Sequence, residues 1–259
     1  MTLSTVGQVR HLAARSVVRT MRQPAYVVPP LIFPLALLAV NSAGLQPSTH
    51  LPGFPSDRFL PFALAVCFMQ GALFATMNAG TDLARDIQTG FLNRLSLTPM
   101  RAPALLAGHL AGVTTMGFLQ ACFYLAVGLV AGAGIDAGPG GAVVLLALAT
   151  LIAGAFGAVG AYLALRTGSA ESVQGFFPLL FVGLFISSMN APRNLMAVAW
   201  FRDAATGNPV SYLIEGIRSL IIEGWNGQAL ALAFGLAAAI GAVALALSSR
   251  ALPRRLTRT

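Results

Sequence analysis

Residues 59–81 read Phe59-Leu-Pro-Phe-Ala-Leu-Ala-Val-Cys-Phe-Met-Gln-Gly-Ala-Leu-Phe-Ala-Thr-Met-Asn-Ala-Gly-Thr81, a run without a single charge that stops against Asp82. As a helix rising 1.5 Å per residue, such a run can cross a bilayer, whose core takes about 20 apolar residues. Five more charge-free intervals surround it: Gln23–Ser56, Ala102–Ile135, Ala137–Leu165, Ser172–Pro192 and Gly224–Ser249. Each has room for one crossing. The chain of 259 residues is 56% hydrophobic and only 9% charged. A soluble domain carries about 25% charged residues, so lipid rather than water must cover this surface. The sequence therefore predicts an all-α polytopic membrane protein built as one transmembrane domain over 1–259. Its six spans are Ala25–Ala43, Phe59–Thr81, Pro103–Gly132, Gly141–Leu165, Ser172–Ala191 and Gln228–Ser249.

The charges orient it. All sixteen basic residues are arginine, which, with the abundant Ala and Gly, suggests a GC-rich bacterial genome. With both termini inside, twelve arginines face Asp82, Asp86 and Glu171 on the inner side. Arg58, Arg193, Arg202 and Arg218 face Asp57, Asp136, Asp203, Glu215 and Glu223 on the outer side. The inner side then carries +9 and the outer side −1, which together give the net +8, in accord with the positive-inside rule. Topology accounts for the basic charge, so nucleic acid is not an expected partner; anionic inner-leaflet lipid is. The expected location is the bacterial inner (plasma) membrane with cytoplasmic termini.

The first 24 residues are polar and basic, with no cleavable signal peptide. Within residues 1–23, Leu3–Met21 reads as an amphipathic interfacial helix, its Arg15, Arg19 and Arg22 near headgroup phosphates. Pro24, Pro29, Pro30 and Pro34 predict kinked or irregular first turns in span one. The inner loop 82–101 is expected to open at Asp82 as a helix cap and to end at Pro99. Segment 193–227 is too apolar for a plain loop. Its runs Leu195–Phe201 and Val210–Ile222 are too short to span and read as outer re-entrant helices broken near Gly207-Asn208-Pro209. Gly128/Gly132, Gly154/Gly157/Gly160 and Gly235/Ala239 are expected at close helix contacts.

Enzymatic chemistry finds little footing. Gly132-Ala-Gly-Ile-Asp-Ala137 matches a loose dinucleotide pattern but follows a span instead of a strand. Without lysine there is no Walker loop, so ATP would have to bind another chain. His11, His50 and His109 lack metal-ligand spacing, Cys67 and Cys122 fall inside spans, and Glu215 and Glu223 have no adjacent nucleophile. No catalytic or metal-binding residue and no cofactor on this chain is expected. The span centres hold no ionisable residue. That argues against an ion-coupled secondary transporter acting alone, the alternative reading, since such carriers bury ionisable groups in mid-membrane.

Three stretches carry a family resemblance. Asp86-Ile-Gln-Thr-Gly-Phe-Leu-Asn-Arg-Leu-Ser-Leu-Thr-Pro99 resembles the T-G-x-L-x-R-L-x-x-T-P signature of ABC transporter type-2 permeases. Arg166-Thr-Gly-Ser-Ala-Glu-Ser-Val-Gln174 with Phe177-Pro178, and Asn208-Pro-Val-Ser-Tyr-Leu-Ile-Glu-Gly-Ile-Arg218, are similar to segments of the daunorubicin-resistance exporter type. The family often places Met-Pro-x-Trp soon after span five, whereas here Met189-Asn-Ala-Pro192 precedes a distant Trp200. The resemblance implies a permease subunit exporting a hydrophobic or amphiphilic substrate, paired with a second permease and energised by two copies of a cytosolic ATPase holding ATP and Mg. It implies a coupling helix using Asp82, Arg85, Asp86, Gly90, Phe91, Leu92, Arg94, Leu95 and Pro99, and a substrate path lined by Phe68, Phe74, Asn78, Phe177 and Phe181.

Overall fold

A computed structural model describes residues 5–91 and 102–256. Among them are nine α-helices and no strand. They are α1 (Thr5–Met21), α2 (Pro24–Gly44), α3 (Phe59–Gln88), α4 (Ala102–Val130), α5 (Gly138–Thr167), α6 (Ala170–Phe185), α7 (Ala199–Gly207), α8 (Pro209–Ile222) and α9 (Gly227–Leu256). Five of these, α2, α3, α4, α5 and α9, are long and apolar enough to cross a membrane. The protein is a polytopic helical membrane protein.

The run that opens the sequence reading forms the axis of the bundle. Of the most apolar window of α3, 89% is buried, against 17% for α2 and 22% for α9. Helix α5 makes the most extensive contact with α3, and small residues allow it. A Cβ on Gly80 would lie 2.7 Å from the Gly160 carbonyl oxygen, and one on Gly160 would run into the Thr76 carbonyl oxygen. Backbone therefore meets backbone, the way helices associate where lipid gives no hydrophobic drive. Gly157 admits Val113, Gly117 admits Ala153 and Gly128 admits Leu64. Two expected contact glycines differ: Gly235 faces open space, and Gly132, at φ +86°, turns the chain after α4.

Prolines do not make α2 irregular; the helix runs unbroken from Pro24 to Gly44. A proline removes the donor to the carbonyl four residues back, and neighbouring helices supply the donors missing at Pro30 and Pro34. The carbonyl freed by Pro30 belongs to Tyr26 and accepts from Asn78 Nδ2 of α3 at 3.0 Å. The carbonyl freed by Pro34 belongs to Pro30 and accepts from Gln120 Nε2 at 3.1 Å and from the Tyr124 hydroxyl of α4. In lipid every such group must be satisfied internally, so the prolines fix where α2 docks.

Three boundaries differ from the sequence expectation, among them the end of α9, which runs past Ser249 to Leu256. Helix α3 passes through Asp82, which is no cap, and continues to Gln88, with Gly90 in the left-handed region at φ +67°. The first part of 82–101 is thus a rigid extension of the span. Helix α6 stops at Phe185 after 16 residues instead of reaching Ala191. Its final carbonyls are taken by another segment: Asn208 Nδ2 donates to Gly183 O at 2.6 Å and to Ile186 O at 2.5 Å. Between α5 and α6 the turn is tight. Gly168 (φ +69°) ends one helix and the Ser169 hydroxyl accepts from Ser172 N at 3.2 Å to start the next.

Candidate functional site

The last turns of α3 place Asp82 and Asp86 four residues apart on one face. Helix α1 offers Arg15 and Arg19 at the same spacing, and i, i+4 neighbours share a helix face. The two pairs interlock. Arg19 Nη1 donates to Asp86 Oδ1 at 2.7 Å, Arg19 Nη2 lies 3.4 Å from Asp82 Oδ1, and Arg15 bridges both Asp86 oxygens at 3.4 and 3.5 Å. Arg15 also stacks over the Phe91 ring at 3.9 Å, and Arg85 over Tyr26 at 5.1 Å. Beside them His109 Nε2 donates to the Ala79 carbonyl at 3.1 Å. Burial acts to lower the Arg19 pKa, but Asp82 and Asp86 outweigh it and hold the value above that of an ordinary arginine. Gly112 of α4 brings α1 close, since a Cβ there would sit 2.5 Å from that of Ser16.

This cluster is a mechanical clamp. Both carboxylates face guanidinium groups of α1. Arg15 and Arg19 reach aspartates of their own chain instead of standing free for headgroups. Sequence reading missed that pairing, although the matched i, i+4 spacings were its signal. Asp82, Arg85, Asp86, Gly90 and Phe91 gather at this end of the bundle; Leu92, Arg94, Leu95 and Pro99 lie outside the described residues. Asp86→Asn should leave overall stability within about 1 kcal/mol, because partly exposed pairs contribute little. It should nevertheless raise tryptic cleavage after Arg15 and Arg19 severalfold, measured on protein in detergent micelles. Unchanged cleavage would mean that apolar packing alone holds α1.

The proposed path residues divide into two groups. Phe74 of α3 meets Phe177 and Phe181 of α6 at ring-centroid distances of 5.1 and 6.2 Å, and Phe33 of α2 joins them. The neighbouring face of α6, with Phe176, Leu179, Val182 and Phe185, is exposed in the single chain. Phe68 lies elsewhere, buried edge-on against Tyr124 at 5.8 Å. Asn78 binds the Tyr26 carbonyl, as described above.

Residues 7–222 match the model of the ABC-2 type transporter. The chain belongs to the ABC-2 transporter family. It is 26% identical over 205 residues to the daunorubicin resistance ABC transporter permease protein of Streptomyces coeruleorubidus, an alignment covering 75% of this chain and 66% of that one. It is 25% identical over 210 residues to a protein named as a transport permease in Cyanophora paradoxa, covering 81% and 72%. The chain thus spans about two thirds to three quarters of the length of these relatives.

At the opposite end of this ABC-2 chain, the Asn208–Arg218 stretch has a structural job that sequence reading did not assign. Asn208 caps α8, its Oδ1 accepting from Val210 N at 3.0 Å, while its amide closes α6. Arg218 is buried, and its guanidinium donates to Phe62 O at 3.1 Å, Ser188 O at 2.9 Å and Met189 O at 3.1 Å while stacking on the Phe62 ring at 3.5 Å. Nearby, Arg193 bonds Glu215 at 2.6 Å beneath Tyr212. Burial acts to lower the Arg193 pKa, but Glu215 and Tyr212 outweigh it, leaving the value raised. The break between α7 and α8 falls at Asn208, as expected, but α7 begins at Ala199, later than the Leu195 of the sequence reading.

Proposed function

We propose that this chain is the non-catalytic permease subunit of an ATP-driven ABC exporter in a bacterial plasma membrane. Two permease subunits pair, and two cytosolic ATPase subunits, carrying ATP and Mg, bind at the α1 end. Both termini lie in the cytoplasm. In this reading α6 and the turn after it make the fifth of six crossings, and α7 and α8 re-enter from the outside within 193–227. The cargo is hydrophobic or amphiphilic, drug-like or lipid-like, and passes the Phe74–Phe177–Phe181 cluster; membership of the ABC-2 family and the name of the Streptomyces relative support this.

The observation that carries the reading is the extension of α3 beyond its apolar run, clamped by Arg15 and Arg19, up to Gly90 and Phe91. A stiff element joined end-on to a span can convey ATPase closure as a rigid-body push. Residues 82–101 then form the coupling segment, with Phe91, Leu92 and Leu95 as apolar knobs and Arg85, Asp86 and Arg94 around them. Leu92→Asp or Leu95→Asp should abolish cargo export from vesicles and the stimulation of the partner ATPase, while the permease still reaches the membrane. Wild-type ATPase stimulation in both variants would refute the assignment, as would transport by this chain alone.

A further inference from the structure

A cavity of about 280 Å³ lies between α2 and α4, with α3 behind it and the end of α1 across one end. It is separate from the Phe74–Phe177–Phe181 cluster. Its wall on α4 runs from Gly112 to Phe123, about 16 Å at 1.5 Å per residue. That is about half of a ~30 Å hydrocarbon core, the depth of one leaflet. The cavity opens sideways: Leu119 and Phe123 on its rim are 46% and 39% exposed. An occupant must therefore come out of the bilayer.

Polarity is graded along this length. Ser16, Thr20, Gln23 and Asp82 stand at the α1 end, and Val27, Leu31, Val113 and Met116 line the body. The NH2 groups of the two amides along the body are committed, Asn78 Nδ2 to Tyr26 O and Gln120 Nε2 to Pro30 O, while Asn78 Oδ1 is buried without a hydrogen-bond partner. At the polar end Asp82 is neutralised by Arg19. Arg22, between the wall residues Met21 and Gln23, is exposed and makes no ion pair among the described residues. Uncompensated charge at the mouth is thus positive. We propose that this cleft holds one acyl chain of an anionic phospholipid from the leaflet that α1 lies on, with the phosphate at Arg22 and the tail along Val27 and Met116. The lipid would fill the gap left where α2 is bonded to its neighbours through proline-freed carbonyls.

The test uses the full chain reconstituted in vesicles of equal parts phosphatidylglycerol and phosphatidylcholine, extracted into detergent, with retained lipid counted by mass spectrometry. No ATPase is needed, so the outcome is independent of the exporter assignment. Wild type should keep one phospholipid per chain, favouring phosphatidylglycerol about tenfold, the effect of ~1.4 kcal/mol. Val27→Trp and Met116→Trp, on facing walls, should each lower retention at least about fivefold. Val243→Trp, on the exposed face of α9, should retain it. Arg22→Gln should keep a lipid but lose the preference for the anionic one. Variants are compared only where they elute as wild type does on size exclusion. Equal retention in wild type and both cleft variants overturns the proposal, as does loss in Val243→Trp or an unchanged preference in Arg22→Gln. Val27-dependent retention of daunorubicin in place of phospholipid would make the cleft a cargo site and overturn it too.

Discussion

Gly160→Ala should destabilise the protein by about 3 kcal/mol, the upper end of the usual cost of overpacking. The added methyl would meet the Thr76 carbonyl oxygen, with Gly80 N close by at 3.0 Å. These are backbone atoms of α3, so no rotamer change relieves the clash. Either α5 moves off α3 or the helical bond accepted by Thr76 O is broken. Since α3 is the axis of the bundle, both responses spread to α2, α4 and α6. Gly175→Ala on α6 is the matched control, because a Cβ there meets nothing within 4 Å. It should be neutral or stabilise by about 0.5–1 kcal/mol, the helix-propensity gain of alanine over glycine. Thermal or denaturant unfolding in one detergent measures both. If Gly160→Ala unfolds within about 0.5 kcal/mol of wild type, α3 and α5 are not in backbone contact.

The spans could be read from sequence because one property decides them. Charge-free runs near 20 residues have few alternatives in a bilayer, and α2, α3, α4, α5 and α9 lie where those runs predicted. Boundaries set by charge alone were less legible. The α3 reading stopped at Thr81 because Asp82 looked like water-exposed chain, yet α1 neutralises Asp82 and Asp86, and the helix continues. Helix α6 is shorter than its apolar run because Asn208, 22 residues beyond Ile186, caps it. Irregularity around Pro30 and Pro34 was a fair inference from local chain chemistry, but Asn78, Gln120 and Tyr124 restore what the prolines remove. In each case a partner distant in sequence changed a local preference. The candidate path residues came from the family resemblance and not from any spacing in the sequence: Phe74 meets Phe177 and Phe181 where α3 and α6 pack, whereas Phe68 lies against Tyr124 of α4.

Arg218→Met should cost about 3–5 kcal/mol, because each buried carbonyl left without its donor costs about 1–3 kcal/mol. The side chain is 4% exposed and no carboxylate lies within ion-pair distance of it among the described residues. It donates to three carbonyls and stacks on the Phe62 ring, all on other elements. Phe62 begins the buried stretch of α3; Ser188 and Met189 belong to the turn after α6. One guanidinium therefore ties α8 to both helices at the end of the bundle remote from α1. Methionine fills the volume but donates nothing, leaving the Ser188 and Met189 carbonyls without this donor in a non-helical turn. Arg218→Lys keeps the charge yet cannot serve three divergent acceptors, since lysine presents a point charge where arginine presents a planar fork. It should fall between wild type and Arg218→Met. A local readout separates this lock from a general loss of fold. A cysteine at Asn190, which is exposed in the same turn, should react with a polar maleimide several times faster in the Arg218→Met background at temperatures where the bundle remains folded. Equal rates would mean that Asn208 and Ser211 hold the turn unaided, through Ile186 O and Ser188 N. Faster labelling would establish α8 as the element whose displacement releases the far ends of α3 and α6 together. The same α3 is clamped by Arg15 and Arg19 at its other end, so arginines of two other helices, α1 and α8, hold this one helix near both of its ends.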